Sequence, residues 1–130
     1  MILIDSSAWI EYIKGSERGE KVRGIADSGS VFTIGIILSE VAKWCEIHNI
    51  DADANTREIL EICTDLLEPS LDAWIDAGKL NAQINRGEKN KNKRIGLVDC
   101  IIATTAFENQ LRIITLDSHF EKINCERIIL

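Results

Sequence analysis

The first fifteen residues, MILIDSSAWIEYIKG (residues 1–15), set the class of fold. Ile2, Leu3 and Ile4 form a short apolar run suited to a buried strand. Asp5 ends that run, and Ser6 or Ser7 can cap a helix starting there. Trp9, Ile10 and Ile13 then fall on one helical face, and Gly15 is a suitable stop. A strand that passes through an acid straight into a helix is the opening of a βαβ arrangement.

Further along, the same alternation repeats. A second amphipathic helix is predicted from about Glu17 to Ala26, with Val22, Ile25 and Ala26 inward. Val31–Ile34 reads as the second strand, and Gly35 opens a helix running to about His48. Asp51 to Asn55 is a polar break. Asn55 and Glu58 are spaced like a helix-start capping pair for a helix facing inward through Ile59, Ile62, Cys63 and Leu66. Leu66 to Pro69 reads as a short third strand, followed by a helix from about Ser70 to Ile84 expected to pack through Leu71, Trp74, Ile75 and Leu80. Residues 85–94 form a polar, basic loop. Leu97 to Asn109 is an apolar helix, Arg112 to Leu116 a strand, and Arg127 to Leu130 a last short strand. The expectation is one α/β domain over residues 1–130: a five-stranded, mostly parallel sheet with helices on both faces. Right-handed crossovers bring the carboxyl ends of such strands to one edge, where ligands bind.

Composition narrows the function. With 130 residues and one proline, Pro69, the chain has no obvious place for a linker. The longest uncharged run, Ser28 to Ser39, falls short of the roughly 20 apolar residues that span a bilayer. The N-terminus has neither a basic region nor a signal-length apolar stretch, so a cytoplasmic protein is expected. Cys45, Cys63, Cys100 and Cys125 are spread without metal-site spacing and read as small buried hydrophobes. A net charge of −6 argues against coating nucleic acid by bulk electrostatics. It leaves room for an enzyme that meets a phosphate backbone through metal ions and one local basic patch.

Four carboxylates stand where the topology directs ligands. Asp5 and Asp117 directly follow apolar strands. Glu40 lies in the opening turns of the helix after the second strand, and side chains on a helix lean toward its N-terminus. Asp99 is the only charged residue from Leu97 through Phe107. Any one of them could be a helix cap or a turn residue. Together they would repel one another and raise their own pKa values, unless divalent cations neutralise them. With no His or Cys expected beside them, hard oxygen ligands favour Mg²⁺ or Mn²⁺. Phosphodiester hydrolysis is the reaction that most naturally uses such equipment.

The strings MILIDSS (1–7), LSEV (38–41), LVDCIIA (97–103) and ITLDSHF (114–120) resemble, in order, the acidic signatures of PIN domains. The length resembles that of the toxin subunits of VapBC toxin–antitoxin pairs. The resemblance implies a Mg²⁺- or Mn²⁺-dependent ribonuclease, usually an endonuclease, on a five-stranded parallel sheet. It also implies a homodimer and a cognate antitoxin that occupies the active site. Carried onto this chain, the metal and catalytic residues are Asp5, Glu40, Asp99 and Asp117. Thr115 matches a polar position that supports the site, and Ser6 is placed to hydrogen-bond waters of the metal. Residues 50–95 carry no signature of the family, so substrate choice is unreadable there.

Arg86, Lys89, Lys91, Lys93 and Arg94 concentrate positive charge just before the Asp99 helix, opposed only by Glu88. A solvated loop is the ordinary reading, and positioning of RNA phosphates is the functional one. His119 reads as a turn residue packing near Phe120 rather than as a general base. His48 closes a helix, where it suits the dipole. Trp9, Trp44 and Trp74 read as core, with an exposed Trp44 or Trp74 able to anchor a dimer or antitoxin interface. The rivals are a housekeeping PIN nuclease in RNA processing, a non-catalytic PIN-like scaffold and a receiver domain. A receiver needs paired acids after its first strand, an aspartate after its third and a lysine after its last. Here Asp5 is single and residues 67–70 supply no aspartate.

Overall fold

A computed structural model describes all of residues 1–130. The order is β1 (Ile2–Ile4), α1 (Ser6–Lys14), α2 (Glu17–Asp27), β2 (Val31–Ile34), α3 (Gly35–Ile47), α4 (Ala52–Ile62), β3 (Asp65–Leu67), α5 (Leu71–Ile84), α6 (Leu97–Glu108), β4 (Arg112–Thr115) and β5 (Arg127–Ile129). Two 3-10 turns, Lys91–Lys93 and Ser118–Lys122, precede α6 and β5. The sheet is parallel throughout, in the order β3-β2-β1-β4-β5. The expected five-stranded α/β architecture is therefore present, with every pairing parallel.

Consecutive residues on a strand face opposite sides of the sheet. Leu3 and Ile4 of β1, and Ile113 and Ile114 of β4, are all completely buried. Both faces of the sheet centre are therefore covered, which explains why these strands read as continuous apolar runs. From β1 the chain steps outward to β2 and β3, then crosses back to β4 on the other side of β1. Right-handed crossovers running in opposite directions lie on opposite faces. The junction of β1 and β4 is thus the switch point of the sheet, where a crevice opens at the carboxyl edge.

Local signals behave as read at most element ends. Gly15 ends α1 at a φ of 66°, a left-handed conformation that glycine adopts without steric cost. Gly19 marks a close helix crossing: a Cβ there would sit 2.1 Å from the Glu11 carbonyl oxygen. All four cysteines are free thiols, Cys45 and Cys100 buried and the other two half-buried. His48 places Nδ1 2.8 Å from the Trp44 carbonyl oxygen at the end of α3 and stacks on the Trp44 ring.

Three local expectations are corrected. Helix α4 starts at Ala52, earlier than the Asn55–Glu58 pair suggests. Asp51 caps it, accepting from the Ala54 N–H at 2.9 Å, while the Asn55 amide turns back to the Asp51 carbonyl oxygen. Leu66 belongs to β3 rather than to the face of α4, and it is exposed. In α5 the buried residues are Ala73 and Ala77, whereas Leu71, Trp74 and Ile75 are exposed. Small side chains let α5 lie close against α6, and that contact selects the face. Of the tryptophans, Trp9 is fully buried, Trp44 half-buried and Trp74 exposed.

Candidate metal centre

Asp5 is the most heavily hydrogen-bonded member of the acidic group. Its N–H continues the sheet ladder, donating to the Ile114 carbonyl oxygen at 2.9 Å. Its Oδ1 accepts the Ser6 N–H at 2.7 Å, so it also caps α1. Its Oδ2 accepts two hydroxyls, Thr115 Oγ1 at 2.7 Å and Ser7 Oγ at 2.9 Å. Both hydroxyls are themselves anchored by backbone N–H groups. Thr115 Oγ1 already accepts the Asp117 N–H, and Ser7 Oγ accepts the Leu116 N–H. An ionised carboxylate can only accept, so each hydroxyl turns its proton to Asp5. The result is a carboxylate locked in one orientation, only 3% exposed.

The other three carboxylates close in from separate elements. Glu40, on the second turn of α3, accepts the Ser6 hydroxyl at 3.1 Å, and that same hydroxyl lies 3.3 Å from Asp5 Oδ1. Asp99 sits in the first turn of α6. Asp117 follows β4 and caps the 3-10 turn of Ser118–Lys122, accepting the His119 N–H at 2.9 Å. Thr115 thus ties Asp5 to the backbone of Asp117, and Ser6 ties Asp5 to Glu40. Ser7, which the sequence offers only as one of two possible caps, shares with Thr115 the work of orienting Asp5.

The electrostatics follow from this crowding. Burial, and after it the charges of Asp117, Asp5 and Glu40, pushes the Asp99 carboxyl up to about 7. Burial also raises Asp5, against the opposing hydrogen bonds from Thr115, Ser7 and Ser6. Glu40 is raised first by burial and then, against the Ser6 hydroxyl, by Asp5. None of the four forms an ion pair with a lysine or arginine. Converging acids with no lysine or arginine in ion-pair contact fit a divalent cation, and carboxylate and hydroxyl oxygens suit Mg²⁺ or Mn²⁺.

The expectation of a site without histidine is corrected. His119 Nδ1 lies 3.3 Å from Asp117 Oδ1, and Asp99, Asp117 and His119 offer potential ligand atoms all within 4.8 Å of one another. The 3-10 turn brings the ring back to the acids, a local geometry that apolar periodicity does not signal.

The basic loop leads directly into this edge. Arg86, Lys89, Lys91, Lys93 and Arg94 are exposed, and none is engaged in an ion pair. The loop's exit is pinned: Asn85 exchanges two hydrogen bonds of 2.8 Å with the backbone of Ile95, and Asn81 adds one of 2.9 Å. Asn81 and Asn85 therefore help set the start of α6, and with it Asp99. Sequence reading overlooks them because their partner lies across a loop.

A parallel α/β sheet with carboxylates meeting at its switch point defines the class. Residues 2–124 match the PIN domain family, and the chain belongs to it. The fold is similar to that of VapC20 of Mycobacterium tuberculosis, a sarcin-ricin loop cleaving toxin, at 15% identity and a TM-score of 0.76, covering 100% of both chains. It is also similar to VapBC-1 of nontypeable Haemophilus influenzae, at 17% identity and a TM-score of 0.76, covering 99% of this chain and 98% of that one. A third likeness is to VapBC2 of Rickettsia felis bound to a promoter DNA fragment, at 14% identity and a TM-score of 0.74, with the same coverage. At these identities the likeness is one of fold. No curated protein sequence matches the chain. No helix is long and apolar enough to cross a membrane.

Proposed function

We propose that the protein is a Mg²⁺- or Mn²⁺-dependent endoribonuclease, the toxin of a toxin–antitoxin pair. The observation that carries this reading is the meeting of Asp5, Glu40, Asp99 and Asp117, from four separate segments, with no lysine or arginine in an ion pair with any of them. These four would hold the metal. A bound divalent ion offsets charge on the scissile phosphate and makes water more acidic, supplying a nucleophile at neutral pH. Asp5 needs no reorganisation to serve as a ligand, because Thr115 and Ser7 already fix its carboxylate. Ser6 holds Asp5 and Glu40 in register and lies where it could also meet water of the ion.

An antitoxin partner, a homodimer and a cytoplasmic setting complete the proposal. Toxin–antitoxin complexes among the similar folds support the antitoxin, and the exposed apolar side chains of α5 offer surface for a protein partner. A gene for a small DNA-binding protein beside this one separates a toxin from a housekeeping PIN nuclease. The decisive test is incubation of the purified chain with RNA. Cleavage is expected in Mg²⁺ or Mn²⁺ and none in EDTA. RNA left intact under every metal condition would count against the proposal.

The exposed cations of the basic loop would hold RNA phosphates beside the acids. Replacing Lys89, Lys91 and Lys93 with Gln is expected to weaken RNA binding and lower the slope of log affinity against log salt by about 2, from roughly 0.7 per phosphate contact. The cleavage sites themselves should stay the same, because phosphate contacts carry no sequence information. Changed cleavage sites with an unchanged salt slope would show that the loop reads bases.

A further inference from the structure

Resting on the metal-dependent reading above, we propose that His119 is a nitrogen ligand of the divalent ion and biases the site toward Mn²⁺ over Mg²⁺. The ring is delivered by its own backbone. Asp117 accepts the His119 N–H, which closes the 3-10 turn and sets the imidazole beside the Asp117 carboxylate. One ring nitrogen and one oxygen from each of Asp99 and Asp117 lie within 4.8 Å of one another. Ligand atoms around one small divalent ion stand up to about 4.2 Å apart, twice a bond of about 2.1 Å. Small side-chain rotations therefore bring these three atoms onto one ion. The imidazole is free to make them: it is 39% exposed, and its only polar contact is with Asp117.

The consequence is selectivity. Mg²⁺ demands oxygen ligands and keeps water readily, whereas imidazole nitrogen suits transition metals. Four carboxylates alone discriminate weakly between Mg²⁺ and Mn²⁺, and one imidazole among them tilts the balance. The alternative role is a simple partner of Asp117, and the two roles are separable. Gln at position 119 retains an N–H donor for Asp117 but is a poor ligand for a transition metal.

The test uses the full chain without nucleic acid, as wild type, His119→Gln, His119→Ala and Asp99→Asn. Mn²⁺ binding is titrated by electron paramagnetic resonance, Mg²⁺ binding by competition, and the bound Mn²⁺ is examined for spin-echo modulation from an imidazole ¹⁴N. The wild-type complex should show the nitrogen modulation, and both His119 variants should lose it. Their Mn²⁺ affinity should fall about tenfold, the low end of what loss of a metal ligand's supporting group costs. Their Mg²⁺ affinity should change by less than about twofold. Wild type binding Mn²⁺ without nitrogen modulation overturns the proposal and leaves the acidic site standing. So does unchanged Mn²⁺ affinity in the variants, and equal weakening for both ions overturns the selectivity. If wild type binds no Mn²⁺, or Asp99→Asn binds it fully, the metal-dependent reading itself fails and this proposal falls with it.

Discussion

Asp99→Asn is expected to lower RNA cleavage in Mg²⁺ or Mn²⁺ by about three orders of magnitude or more, roughly 4 kcal/mol on the barrier. The circular dichroism should stay that of wild type. The amide conserves shape, so α6 is retained, but it removes one negative charge from the ligand set. Asp99 is a cleaner probe than Asp5. Asp5 accepts two hydroxyls on Oδ2 and the helix-capping Ser6 N–H on Oδ1, so an amide there would make this hydrogen-bond network rearrange. Asp99 accepts no hydrogen bond from the protein and is raised only by burial and by its acidic neighbours. Its loss therefore reports on the ion rather than on the scaffold. Cleavage by the variant at the wild-type rate would falsify the assignment of Asp99.

A second large effect is expected in thermal stability, and its sign changes with metal. The Asp99 carboxyl stands near 7 in the folded protein against an ordinary value of 3.8. A folded-state pKa above the unfolded one means that folding favours the protonated acid. The stability it contributes is full below the unfolded value and is lost as pH rises through about 7. At pH 8 without metal, wild type therefore holds a disfavoured charge that Asp99→Asn lacks, and the variant should melt higher. A shift of this size corresponds to roughly 4 kcal/mol. Partial solvent access reduces that to about 1–2 kcal/mol, still several degrees in Tm. At pH 5 the advantage should shrink, because Asp99 is then already protonated. Glu40 and Asp5 are raised in the same direction, each by burial before any neighbouring charge.

Mn²⁺ should invert the order. An ion that binds only the folded state stabilises it by about 2.7 kcal/mol at a hundredfold excess over its Kd. Wild type should gain that increment and Asp99→Asn much less. The measurement is a set of melts of both proteins at pH 5 and pH 8, each with EDTA and with Mn²⁺. A variant clearly less stable than wild type in EDTA at pH 8, and responding fully to Mn²⁺, would make Asp99 a structural helix-start residue.

The class of fold and the acidic positions were legible in the sequence because short-range chemistry determines them. Ile2–Ile4 and Ile113–Thr115 are apolar enough to be central strands, and an acid directly after such a strand lies at the carboxyl edge in any parallel sheet. Periodicity likewise placed the helices within a few residues. Most of what it left undecided depends on partners distant in the chain. Which face of α5 is buried was settled by α6, against which Ala73 and Ala77 fit more closely than the larger Leu71, Trp74 and Ile75. That Ser7 orients Asp5 was settled where the chain leaves β4, because Leu116, 109 residues away, anchors the Ser7 hydroxyl by donating to it. His119 joined the acids through a single 3-10 turn whose geometry the Asp117 side chain sets. Sequence determines which groups reach the edge, since strand and helix periods are local. Their mutual distances arise only when the sheet and the helices around it assemble, since most of them depend on atoms that no local stretch contains.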